Sequence, residues 1–152
     1  MGQVLSDNRI TYVGYDKIRD FVKVCKFRKD MLLITTLPFD GLWIQGTVDS
    51  IEKEEQLINH ALESGKMGEM ILFIYGKDCS DILPVKKAQQ FIDLGFRNVY
   101  VYLGGIFEWT LLADLYGIED FGVVGGNPNE ENLSMRFVIG NGNGNGNGNR
   151  NG

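Results

Sequence analysis

Residues 70–109 read MILFIYGKDCSDILPVKKAQQFIDLGFRNVYVYLGGIFEW. Met70 to Tyr75 is apolar at every position, which suits a strand buried on both faces rather than one with a wet face. Gly76 to Asp81 then carries no aliphatic or aromatic side chain. From Pro84 to Leu94 apolar residues return at 85, 88, 91 and 92, the spacing of a helix. Gly95 is a natural stop, Val99 to Leu103 is a second apolar run, and Gly104-Gly105 makes a tight turn into a further helix. That helix is expected from about Phe107 to Gly117 and carries Leu111, Leu112 and Leu115.

The same alternation extends toward the N-terminus. Met31 to Thr36 is another apolar run, with shorter strand candidates at Ile10 to Val13 and Leu42 to Val48. Helical spacing appears in Tyr15 to Val24, at 18, 21, 22 and 25, and in Ile51 to Glu63, at 51, 58, 61 and 62. Strand and helix in turn predict an α/β domain with a mainly parallel sheet covered by helices on both faces. Ligand sites in such sheets form where strand C-termini pass into helix N-termini, so the loop Gly76, Lys77, Asp78, Cys79, Ser80, Asp81 is the first candidate.

The chain has 152 residues, with 15 basic and 20 acidic side chains and a formal net charge of -5. That length is one domain's worth, and the absence of a dense Lys/Arg run argues against a nucleic-acid partner, which needs several phosphates neutralised at once. No apolar run reaches the roughly 18 to 20 residues that cross a bilayer, and no secretory signal is legible, so a cytoplasmic location is expected. Cys25 and Cys79 fit a reducing compartment, and the one histidine, His60, leaves no basis for a His-rich metal site. No metal or cofactor is expected.

The chain divides into a flexible N-terminus at 1–9, the folded domain at 10–121, an irregular extension at 122–139 and a disordered tail at 140–152. The last 13 residues are six Gly, six Asn and Arg150. They hold no apolar side chain to offset the entropy of ordering them. At the other end, Met1-Gly2-Gln3-Val4-Leu5-Ser6 fits the M-G-x-x-x-S/T pattern in which Gly2 is myristoylated. Asp7 and the lack of a polybasic cluster leave at most weak membrane attachment through Gly2, and a plain flexible N-terminus is the favoured reading of these residues.

Taken together, the strand Ile71 to Tyr75, the six-residue loop, the helix ending Phe91-Ile92-Asp93-Leu94-Gly95-Phe96 and the run Val99-Tyr100-Val101-Tyr102-Leu103-Gly104-Gly105-Ile106-Phe107-Glu108-Trp109 resemble the rhodanese-like domain. The Leu32-Leu33-Ile34 strand and the Gly46-Thr47-Val48 turn resemble its first-half landmarks in weaker form. The resemblance covers about Ile10 to Gly117. It implies a five-stranded parallel sheet flanked by helices, and a sulfurtransferase whose cysteine opens the active loop within a ring of backbone N–H groups.

Here that first position is Gly76, which has no side chain to carry sulfur. The resemblance therefore implies a non-catalytic member, a binding or regulatory module with an unidentified protein partner. The alternative is a divergent sulfurtransferase that uses Cys79 as its persulfide-carrying nucleophile. A helix N-terminus and Lys77 would favour its thiolate, whereas Asp78 and Asp81 oppose it. The other reading of Cys79 is an ordinary loop cysteine beside a helix cap formed by Ser80 or Asp81. A phosphatase loop of this fold would need an arginine, and none lies between Arg28 and Arg97. Glu52, Lys53, Glu54 and Glu55 read as a solvated helix start, and His60 as a surface residue.

Overall fold

The computed structural model describes residues 10–38 and 41–125. Strand β1 (Ile10–Val13) leads into α1 (Tyr15–Val24), β2 (Met31–Thr35), β3 (Leu42–Ile44) and α2 (Ile51–Ser64). Then follow β4 (Ile71–Tyr75), α3 (Leu83–Leu94), β5 (Asn98–Tyr102), α4 (Gly105–Tyr116) and β6 (Val123–Gly125). Four strands form one sheet in the order β1-β5-β4-β2, with every neighbouring pair parallel. β3 and β6 form a separate antiparallel ribbon.

The sheet is buried on both faces, as its unbroken apolar strands require. On one face Leu32, Ile34, Leu72, Ile74, Val99 and Val101 pack with Ile58 and Ala61 of α2 and Ala88 and Phe91 of α3. On the other, Leu33, Phe73, Tyr75 and Tyr102 meet Ile18 and Phe21 of α1 and Trp109 and Ala113 of α4. Successive residues of each central strand thus enter opposite cores, the period of two that a pleated strand imposes.

Four strands stand in the sheet where the resemblance implied five. The run Leu42 to Val48 is broken in two: Ile44 C=O accepts from Thr47 N–H (3.1 Å) and Thr47 Oγ1 (2.6 Å), and Gly46 turns the chain at φ +95°. A residue with a Cβ is strained there. Beyond the turn only Thr47 bridges Leu33 in parallel, with Val48 N–H donating to Leu33 C=O at 2.9 Å. Leu42 to Ile44 instead pairs with β6, which lies past the domain boundary expected at residue 121. Trp109 accounts for this: its indole N–H donates to Gly122 C=O at 2.9 Å and its ring packs on Phe121, fastening the chain after α4 to the core.

The expected tail at 140–152, the N-terminal segment at 1–9 with Gly2, and residues 126–139 of the expected irregular extension lie outside the described residues. Among the described residues no helix is long and apolar enough to cross a membrane.

Candidate functional site

α1 and α4 lie on one face of the sheet and α2 and α3 on the other, so the chain leaves β4 and β5 in opposite directions. Between the C-terminal ends of such strands an open α/β sheet forms its ligand crevice. The loop Gly76 to Asp81 occupies this point, facing the Leu103-Gly104-Gly105 turn after β5.

The crevice is closed by hydrogen bonds. Ile106 N–H donates to Gly76 C=O and Phe107 N–H to Lys77 C=O, both at 3.0 Å. The approach depends on Gly105, at φ +66°, where a Cβ would come within 2.6 Å of Gly76 C=O. Only glycine tolerates that conformation and that proximity. Amides that would otherwise face outward from the N-terminus of α4 as an anion site are spent on the protein's own carbonyls.

The Asp81 carboxylate is seated over Gly76. Its Oδ2 accepts from Lys77 N–H (2.9 Å) and its Oδ1 from Leu83 N–H (3.0 Å). Gly76 is buried beneath it. A Cβ at Gly76 would overlap Asp81 Oδ2 and come within 2.6 Å of Pro84 Cγ and 2.9 Å of Thr36 Oγ1. Asp78 makes a second internal acceptor, its Oδ1 taking the Ser80 N–H at 3.0 Å and the Ser80 hydroxyl at 2.7 Å. Those two bonds hold the Asp78 carboxyl below the usual carboxylate range.

The other loop residues follow from this. Cys79 is an exposed free thiol, and Lys77 and Ser80 are exposed. Asp81 serves as the helix-capping acid anticipated from the sequence, but it acts on Leu83, the first residue of α3, while Ile82 stands at the cap position and contributes no side-chain bond. The loop assembles donors and carboxylates, and its free thiol is exposed.

Buried polar contacts support the site from behind. The Tyr75 hydroxyl accepts from Ile44 N–H (2.9 Å) and shares a 2.8 Å hydrogen bond with Thr47 Oγ1, and burial raises its pKa above the ordinary value. The Tyr102 hydroxyl donates to Glu108 Oε1 at 2.6 Å, and burial followed by that carboxylate raises it as well. His60 is exposed, as expected. Glu54 corrects the expectation of a wholly solvated acidic helix start: it is buried, and its Oε2 pairs with Lys87 Nζ of α3 at 2.8 Å. The spacing Glu54, Ile58, Ala61 carried the signal, since residues four and three apart share one helix face. Ile51, counted among the inward positions, is instead 59% exposed. No group of three or more His, Cys, Asp or Glu side chains placed to hold a metal ion occurs among the described residues.

In comparisons with known proteins, no family model and no curated protein matches this chain.

Proposed function

We propose that this chain is a rhodanese-like domain that has lost its sulfur-carrying nucleophile and works as a non-catalytic binding or regulatory module in the cytoplasm. The observation that carries this reading is the seating of Asp81 over Gly76. The amides of Lys77 and Leu83 already hold a carboxylate, and a side chain at residue 76 would collide with it. A persulfide or thiosulfate brought there would have to displace an internal anion, a desolvation and repulsion cost that no nearby nucleophile offsets. The single Leu33–Thr47 bridge beside β2 is consistent with a shortened fifth strand of the sheet that the family resemblance implies.

The test is incubation with thiosulfate and cyanide, comparing the protein with Cys79→Ser and with a blank. No thiocyanate above the blank is expected from either form. A rate that Cys79→Ser abolishes would instead establish Cys79 as the nucleophile and return the chain to the sulfurtransferases.

A further inference from the structure

α4 reads Gly-Ile-Phe-Glu-Trp-Thr-Leu-Leu-Ala-Asp-Leu-Tyr and is apolar around much of its circumference. One side is explained by the core, where Trp109 and Ala113 are buried. The opposite side is not: Phe107, Leu111 and Leu115 are 59%, 49% and 74% exposed. They sit four residues apart and so form one ridge along the helix. Ile118 continues it beyond the helix end and is also exposed. Together these side chains leave roughly 400 Å² of apolar surface open to water, within the range at which a patch on a monomer is often functional.

The flanks of the ridge are acidic. At 100° per residue, Asp114 falls on one side of Phe107-Leu111-Leu115 and Glu108 on the other. Glu119 and Asp120 follow just past the helix, and among the described residues only Asp120 of these acids is paired with a cation, Lys23 at 3.8 Å. No Lys or Arg occurs between Arg97 and Arg136 in the sequence.

We infer that the outer face of α4 is a docking site for an amphipathic helix of a protein partner, one whose apolar stripe is flanked by Lys or Arg. Its leucine-type side chains would lie across the Phe107-Leu111-Leu115 ridge, and its cations would meet the exposed Asp114. A second copy of this chain is the poorer occupant. A two-fold pairing of α4 with itself brings two Asp114 and two Glu108 carboxylates to one seam with no cation among them, a like-charge juxtaposition. This assignment rests on the binding-module reading and names the class of partner it takes.

The probe is a fluorescein-labelled synthetic helix of about 18 residues, long enough to be helical in water, with Leu at alternating third and fourth positions and Lys on both flanks. Fluorescence anisotropy should show saturable binding that weakens with salt. Leu111→Ser with Leu115→Ser should weaken it by about tenfold or more, since two buried leucines are lost. Asp114→Lys should weaken it too, Phe27→Ser on another surface should not, and the peptide with Glu in place of Lys should not bind. Thermal melting of each variant confirms the fold, which exposed serines leave intact. Equal binding by the Leu111/Leu115 variant, no binding by the wild type, or a sedimenting dimer that this variant dissolves would each overturn the assignment. Sulfur transfer in the thiosulfate assay would count against the non-catalytic reading while leaving the peptide result to stand or fall by itself.

Discussion

Gly76→Ala isolates the closed loop from any question of chemistry, because Gly76 is not at positive φ and a methyl group is refused only by what surrounds it. In an open loop, replacing Gly by Ala would stabilise the fold by about 0.4–1 kcal/mol through the unfolded chain. Here the new Cβ meets Asp81 Oδ2, Pro84 Cγ and Thr36 Oγ1 inside ordinary contact distance. Overfilling a packed site costs about 1–3 kcal/mol. Should the Asp81 carboxylate swing aside instead, it gives up the amides of Lys77 and Leu83, a capping loss of about 1 kcal/mol. A net destabilisation of about 1–3 kcal/mol is expected. Asp81→Ala alone should cost about 1 kcal/mol, and the double change should cost less than the sum by about 1 kcal/mol, since the first collision partner is gone. Urea unfolding followed by tryptophan fluorescence measures all four corners of the cycle, with an unchanged slope showing that only stability moved. A stabilised Gly76→Ala protein, or costs that add within about 0.5 kcal/mol, would refute the packing of Asp81 over Gly76.

Other expectations concern the supports of the site. Tyr75 and Tyr102 are raised above the ordinary value of 10.0, so their contribution to stability is complete below that pH and declines as pH rises above it. Their phenolate absorbance should therefore appear only together with loss of near-ultraviolet dichroism, and early ionisation of both would contradict their burial. Lys87→Met strips Glu54 of its partner and should cost about 1–2 kcal/mol in urea unfolding, allowing for partial solvent access, with most of it recovered by adding Glu54→Leu. Trp109→Phe removes the indole N–H to Gly122 bond and some ring volume, about 1–2 kcal/mol. Hydrogen exchange at Gln45 N–H, which donates to Gly122 C=O, should quicken while the amides of β4 stay protected. Equal quickening throughout the sheet would mean that Trp109 does not hold the β3–β6 ribbon specifically.

What the sequence discloses depends on whether the cause is local. The strands β2, β4 and β5 are legible because burial on both faces demands unbroken apolar runs, and α1 falls on Tyr15–Val24 as its periodicity predicts. Leu42 to Val48 misleads because its apolar content is the same whether it joins the main sheet or a ribbon. The difference lies in Gly46 and in Trp109, sixty-odd residues away, whose bond to Gly122 brings β6 alongside. Glu54 is legible from helix spacing, but its partner Lys87 is not, because the pairing depends on how α2 and α3 lie on the sheet. At the loop, the absence of a side chain at Gly76 is plain from the sequence. The seating of Asp81 is not, since an acid next to a helix start reads equally as an ordinary cap.

The end of a parallel strand beneath a helix N-terminus leaves backbone N–H groups that need an acceptor, from solvent, a ligand or the chain itself. In this loop the chain supplies it: Asp81 takes two amides, Asp78 takes one, and the carbonyls of Gly76 and Lys77 take two more from α4. An anion arriving at the amides of Lys77 and Leu83 would gain hydrogen bonds only by breaking existing ones of the same kind, while adding charge beside Asp81 and Asp78, so exchange there is unfavourable on both counts. The same bonds fix Phe107 at the start of α4, because its N–H is the donor to Lys77. Closing the crevice thus sets the register at which the Phe107-Leu111-Leu115 ridge leaves the loop, and ties the closed loop to the apolar surface beside it.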